Sequence, residues 1–175
     1  MVKANSPECE FAREKFESFC KLYQFEFPKE YIEYLKKYND AELEPNVLDI
    51  GDNECCIRYF YGTSHDEYSD ICAIYELYRN RMPEKCVPIA DPDFGNQICI
   101  SLGEENYGKI YFWDHETMDT DFYCVCKINL QDMKEIAISF VDLLDNIKES
   151  GYVVDIESKT NFWENIAKRI TRKNN

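Results

Sequence analysis

Apolar positions in the first third of the chain recur every three or four residues, then alternate, and later return to the helical period. Ser6-Pro7-Glu8 has the chemistry of a helix start, with a hydroxyl to cap free N–H groups, a proline in the first turn and an acid at the positive end of the dipole. The predicted helix runs to about Leu22 and buries Ala12, Phe16, Phe19, Cys20 and Tyr23. Pro28 opens a second helix from Lys29 to about Tyr38, with Tyr31, Ile32, Leu35 and Tyr38 as its apolar stripe, and Asn39-Asp40 ends it. An acidic, proline-containing loop then runs from Asp40 to Asn53. From Glu54 to Tyr61 the pattern alternates, placing Cys55, Ile57, Tyr59 and Tyr61 on one face of a half-buried strand. Ser64 followed by Glu67 has capping-box spacing and predicts a third helix through about Arg81, with the stripe Tyr68, Ile71, Cys72, Tyr75 and Tyr78.

At Cys86 the period changes to two, and four short strands are expected: Cys86 to Ala90, Gln97 to Leu102, Lys109 to Trp113 and Phe122 to Ile128. Asp91-Pro92-Asp93-Phe94-Gly95-Asn96 and Gly103 to Gly108 supply turn residues between them, so consecutive strands pair antiparallel. Asn129 then caps a predicted fourth helix from Gln131 to about Lys148, striped by Met133, Ile136, Ala137, Phe140, Leu144 and Ile147. Phe162, Trp163, Ile166 and Ile170 predict a last helix over 159–172. The fold class is α+β: a mostly antiparallel sheet, made of a four-strand meander plus an extra strand, packed with four to five helices in one domain over 1–175.

Composition narrows the function. The chain carries 34 Asp and Glu against 20 Lys and Arg, a formal charge of -14, which opposes direct binding to nucleic acid and suits a basic partner. Nine cysteines are an odd number without any C-x-x-C pair, which reads as buried thiols in a reducing cytoplasm rather than a disulfide framework. No apolar stretch approaches a membrane span, so no membrane association is expected. Of the two histidines, His115 sits in Trp113-Asp114-His115-Glu116 close to Asp119 and Asp121. That spacing matches no defined cation site, and a polar loop at a strand end explains it equally well. Cys124 and Cys126 share a strand face with Phe122 and Ile128, and Cys72 lies on a helix stripe, which marks them as core. The six glycines form no phosphate-binding loop. No catalytic residue, metal or cofactor is assigned, and the chain reads as non-enzymatic. The tyrosines of the third helix, Tyr68, Tyr75 and Tyr78, form a secondary candidate for a recognition surface.

Two separated segments carry a family resemblance. Phe27-Pro28-Lys29-Glu30-Tyr31-Ile32-Glu33-Tyr34-Leu35 has the pattern Pro-x-x-Tyr-x-x-x-Leu, and Val87-Pro88-Ile89-Ala90-Asp91 leads through Gly95-Asn96-Gln97-Ile98 to Gly108-Lys109-Ile110-Tyr111-Phe112-Trp113-Asp114-His115-Glu116. In this order they resemble the SUKH superfamily, with a motif-bearing core over 27–148. Pro28, Tyr31, Leu35, Gly95, Asn96, Gly108 and Trp113 fall on its structural positions. Family members often continue the first motif with glycines, whereas here Asn39 precedes Asp40-Ala41-Glu42, and residues 40–82 show no match. The resemblance implies a non-enzymatic protein-binding domain, best known as bacterial immunity proteins that neutralise toxins, often nucleases, by stoichiometric binding. Eukaryotic relatives imply the alternative of a regulatory scaffold that binds signalling proteins. A basic toxin domain is the expected partner, and Asp91, Asp93, Asp114, Glu116, Asp119 and Asp121 are the candidate contacts. Oligomeric state stays open.

Overall fold

The computed structural model describes residues 10–92, 95–115 and 127–149, together with the backbone of Lys3–Ala4. Its order is β1 (Lys3–Ala4), α1 (Arg13–Tyr23), α2 (Lys29–Tyr38), β2 (Leu43–Glu44), β3 (Val47–Ile50), β4 (Asn53–Phe60), α3 (Ile71–Tyr78), β5 (Cys86–Pro92), β6 (Gln97–Ser101), β7 (Ile110–Trp113), β8 (Lys134–Ala137) and α4 (Phe140–Asn146). Strands β3 to β8 form a six-stranded sheet in sequence order with every pair antiparallel, and β1 and β2 form a separate two-stranded ribbon. The α+β class is as expected; the strand count is larger.

The motif hairpin forms in the expected place. Gln97↔Trp113, Ile98↔Phe112 and Ile100↔Ile110 are partners across β6 and β7, and Gly95 (φ +78°) and Gly108 (φ +81°) hold left-handed backbone where a side chain would be strained. Helix α2 also matches its prediction, with Pro28 just before its first residue and Tyr31 and Leu35 fully buried.

Four expectations need correction. The loop from Asp40 to Asn53 contains β2 and β3, the latter turned back onto β4 through Gly51 at φ +67°. Helix α1 begins at Arg13, and residues 10–12 are not helical; the Ser6-Pro7-Glu8 start lies outside the described residues. Helix α3 begins at Ile71, not after Ser64, because the Asp70 carboxylate is the cap that accepts the Ala73 N–H at 3.1 Å. The fourth helix is the largest departure. Asn129 caps only a single 3-10 turn, Lys134–Ala137 pairs with β7 as a strand, and α4 starts afresh after Ser139, whose hydroxyl accepts the Asp142 N–H. Of the strand expected over Phe122 to Ile128, residues 122–126 lie outside the described part, and the described residues 127 and 128 are not in a strand. The 159–172 helix also lies outside it.

Both faces of the sheet are covered. On one, α1, α2 and α4 bury Phe16, Phe27, Tyr31, Leu35 and Phe140 against Ile57, Phe60, Ile89, Ile98 and Ile100. Aromatic edges lock this layer: Tyr31 and Phe140 centroids are 5.0 Å apart, and Phe60 and Phe140 5.3 Å. On the other face, Met82, Cys86, Cys99, Tyr111, Trp113 and Met133 form a second cluster, with the Arg81 guanidinium 4.8 Å over the Trp113 ring. The sheet curls enough to bring its two ends together. A side chain on Gly51 would run into Lys134 at the start of β8, and Lys148 beyond α4 bridges back to Val47 on β3.

Candidate partner-binding surface

Between β4 and α3 the chain makes a loop, Thr63 to Asp70, whose two ends are tied together. Gly62 and Asp70 form a parallel bridge, the Gly62 N–H donates to Ser69 O at 3.1 Å, and the Ile71 N–H donates to Gly62 O at 2.8 Å. Inside, the loop satisfies its own backbone. The Asp66 N–H donates to Ser64 Oγ (3.2 Å), the Tyr68 N–H to Asp66 Oδ1 (3.1 Å) and the Ser69 N–H to Asp66 O (3.2 Å). This is why Ser64 and Glu67 do not start a helix: Ser64 closes a two-residue turn onto Asp66 instead.

A buried polar node fastens the loop to the helices. Asp70 accepts the Ser64 N–H at 2.9 Å and the Lys15 ammonium of α1 at 2.7 Å, and Lys15 also donates to Ser64 O at 3.1 Å. Asn39, just past α2, accepts the Thr63 N–H at 2.8 Å and donates to Thr63 O at 3.2 Å. The Ala12 N–H ahead of α1 donates to Thr63 Oγ1. Asn39 holds φ 44°, and Gly62 faces it so closely that a Cβ there would sit 2.8 Å from the Asn39 carbonyl carbon. Most of the buried polar residues among those described, namely Asn39, Asp40, Thr63, Ser64, Ser69 and Asp70, belong to this node.

From the loop a row of polar side chains crosses the sheet towards the motif hairpin. The Tyr59 hydroxyl has two acceptors within reach, Tyr68 O at 3.3 Å and the Asp91 carboxylate. Asp91 also pairs with Arg58. Tyr61 stands beside Tyr59, with ring centroids 6.0 Å apart, and donates its hydroxyl to Gln97 Oε1 at 2.9 Å; Gln97 in turn donates to Gly95 O. Asn96 Oδ1 accepts the His115 N–H at 3.2 Å and lies 3.0 Å from His115 Nδ1, closing the β5–β6 turn onto the end of β7. Burial first, and then the Asp91 charge, push the phenols of Tyr59 and Tyr61 up, so both stay neutral donors.

Of the sequence-derived contacts, Asp91 stands in this row, buried and engaged by Arg58 and Tyr59, and Asp114 is half-buried just past β7. Asp93, Glu116, Asp119 and Asp121 lie outside the described residues. The motif residues spread through the scaffold. Pro28 approaches Gly108 at the opposite end of the hairpin from Gly95 and Asn96, and Trp113 is buried in the second cluster with its Nε1 unpaired. The expected tyrosine stripe is broken up: Tyr75 and Tyr78 are half-buried on α3, whereas Tyr68 sits on the loop, 70% exposed. Sequence reasoning missed the node because its partners, Lys15, Asn39, Gly62 and Asp70, are far apart along the chain. The one local signal was the density of Thr, Ser and Asp between Thr63 and Asp70.

Three of the described thiols are set against nucleophilic use. Burial raises Cys20 to about 11 and Cys72 to about 12, and Cys99 is pushed well up by burial and by the Cys86 thiol beside it. Among the described residues no group of three or more His, Cys, Asp or Glu is placed to hold a metal ion, and no helix is long and apolar enough to cross a membrane.

Helices on one face of an antiparallel meander, with a pinned polar loop at its margin, define an α+β domain. The chain belongs to the SMI1 / KNR4 family (SUKH-1), whose model matches residues 12–146, from the residue before α1 to the last residue of α4. It is also 30% identical over 154 residues to the SPbeta prophage-derived uncharacterized protein YokK of Bacillus subtilis (strain 168), covering 75% of this chain and 76% of that protein.

Proposed function

We propose that this chain is a cytoplasmic immunity protein that neutralises a cognate toxin domain by stoichiometric binding, without making or breaking a bond. The observation that carries the reading is membership of a family that includes toxin-immunity proteins. The charge of -14 supports a basic toxin surface, such as the substrate cleft of a nuclease, as the target, since opposite fields speed encounter and an acidic face covers a cationic cleft. The prophage origin of that relative fits a mobile setting. Asp114, Asp93, Glu116, Asp119 and Asp121 are the proposed acidic contacts, while Asp91, buried and paired with Arg58, belongs to the scaffold rather than the contact.

The test is co-expression with the product of the open reading frame adjacent to this gene, as the candidate toxin, followed by titration calorimetry of the purified pair. A one-to-one complex and rescue of growth are expected. If the toxin stays free and growth is still arrested, the immunity reading is lost and the regulatory scaffold takes its place.

A further inference from the structure

We propose that the loop Thr63 to Asp70 is a pre-organised contact element that delivers Tyr68 into a basic surface of the protein partner. The inference rests on the reading of the chain as a binding protein and names the face that binds.

A large aromatic side chain left 70% exposed loses apolar contact that most of this chain's aromatics obtain. Tyr68 is held out by a backbone that has no slack. Its own N–H donates to Asp66, its carbonyl accepts from Tyr59, and the residues before and after it are tied to Asp70, Asn39, Lys15 and Gly62. A compact loop with joined ends and internal hydrogen bonds is ordered before it meets a partner, so ordering cost does not reduce affinity. Tyrosine suits such a position: it brings large contact area with few rotatable bonds and is enriched among residues that dominate interfaces.

The charges around it choose the partner. Asp66 and Glu67 precede Tyr68 and are exposed. Lys15 and Arg58 are each held by a buried carboxylate, Asp70 and Asp91. The loop tip therefore offers a ring face and two carboxylates, a combination that fits a lysine or arginine of the partner over the ring. Of the other exposed apolar residues among those described, Leu22, Leu77 and Val141 lie on helices and Ile138 on the β8–α4 connection, while Tyr107, which also has acidic neighbours in Glu26 and Glu30, is less exposed at 49% and lies on the β6–β7 connection at the far end of the motif hairpin.

The probe is the purified product of the open reading frame adjacent to this gene, titrated into the full chain and into Tyr68→Ala, Glu67→Lys and Tyr107→Ala. Tyr68→Ala is expected to weaken binding by about 30-fold or more, in the range of an interface hot spot, with its melting temperature unchanged. Glu67→Lys is expected to slow association, and Tyr107→Ala to bind as the parent does. In the free chain, the amides of Ser64, Tyr68 and Ser69 should exchange slowly. If the parent binds and Tyr68→Ala binds equally well, this inference fails while the immunity reading stands. If Tyr107→Ala is the damaging change, the contact face is at the other end and the inference again fails. Loop amides exchanging at the rate of free chain would overturn the pre-organisation. If the parent itself does not bind, both readings fall together.

Discussion

Replacing Asp70 by alanine removes three things at once, and the structure permits each to be weighed. The carboxylate caps α3 through the Ala73 N–H, a contribution of about 1 kcal/mol. It also accepts the Ser64 N–H inside a buried node, and leaving that donor without a partner costs roughly 1–3 kcal/mol. Its third partner is the Lys15 ammonium at 2.7 Å, but the Lys15 side chain is 45% exposed and returns to water when released, so this part is worth about 0–1 kcal/mol. The sum is roughly 3 kcal/mol, equivalent to a loss of about 5–10 °C in melting temperature for a domain of this size. Urea unfolding followed by circular dichroism measures it, and the m-value should not change because the buried surface is the same. Lys15→Ala is the control: it leaves both N–H groups on Asp70 but removes the counter-ion of a buried carboxylate, and should cost about 1–2 kcal/mol, less than Asp70→Ala. The reasoning is refuted if Asp70→Ala costs under about 1 kcal/mol, or if Lys15→Ala costs as much as Asp70→Ala, since the ion pair rather than the N–H groups would then hold the node.

Three further outcomes follow from the same structure. Gly62→Ala places a Cβ 2.8 Å from the Asn39 carbonyl carbon and should destabilise by roughly 1–3 kcal/mol, whereas Gly103→Ala, with φ -76° and its nearest neighbour at 3.7 Å, should be neutral or slightly stabilising. Leu35→Ala, at a fully buried position of α2, should cost about 2–5 kcal/mol, measured by the shift in urea midpoint. Alkaline stability should fall because burial raises Cys20 from 9.0 to about 11 and Cys72 from 9.0 to about 12. Both thiols hold their protons more tightly when folded, so their contribution is complete below pH 9.0 and is lost as pH rises towards 11 and 12. The urea midpoint should decline from pH 8 to pH 10 in the parent and decline less in Cys20→Ser/Cys72→Ser; equal declines would refute this assignment.

The elements that were legible in the sequence are those whose local pattern has one solution. In α2, Pro28 and the stripe Tyr31, Ile32 and Leu35 agree on a helix, and in the motif hairpin Ile98, Ile100 and Ile110 alternate between two glycines that only a turn requires. Family membership was legible for the same reason, since the two motifs are local. Met133 to Ala137 was not, because its apolar residues fit a helical stripe, yet β7 had a free edge whose N–H and C=O groups needed partners, and pairing there outweighed continuing one helix. The start of α3 was misread because Ser64 and Glu67 carry a valid local signal that Asp70 overrides with Lys15, a partner 55 residues away. The candidate contacts divide the same way. An acidic character can be counted from composition alone, but that Asp91 is drawn into the sheet by Arg58 and Tyr59, while Tyr68 leaves its expected helix face for an exposed loop, depends on residues that only the folded chain brings together. Sequence by itself determined the class, the family and the sign of the surface charge, because these depend on local periodicity and on sums. Which side chains the surface presents was decided by tertiary structure, because burial and hydrogen bonding are properties of distant neighbours.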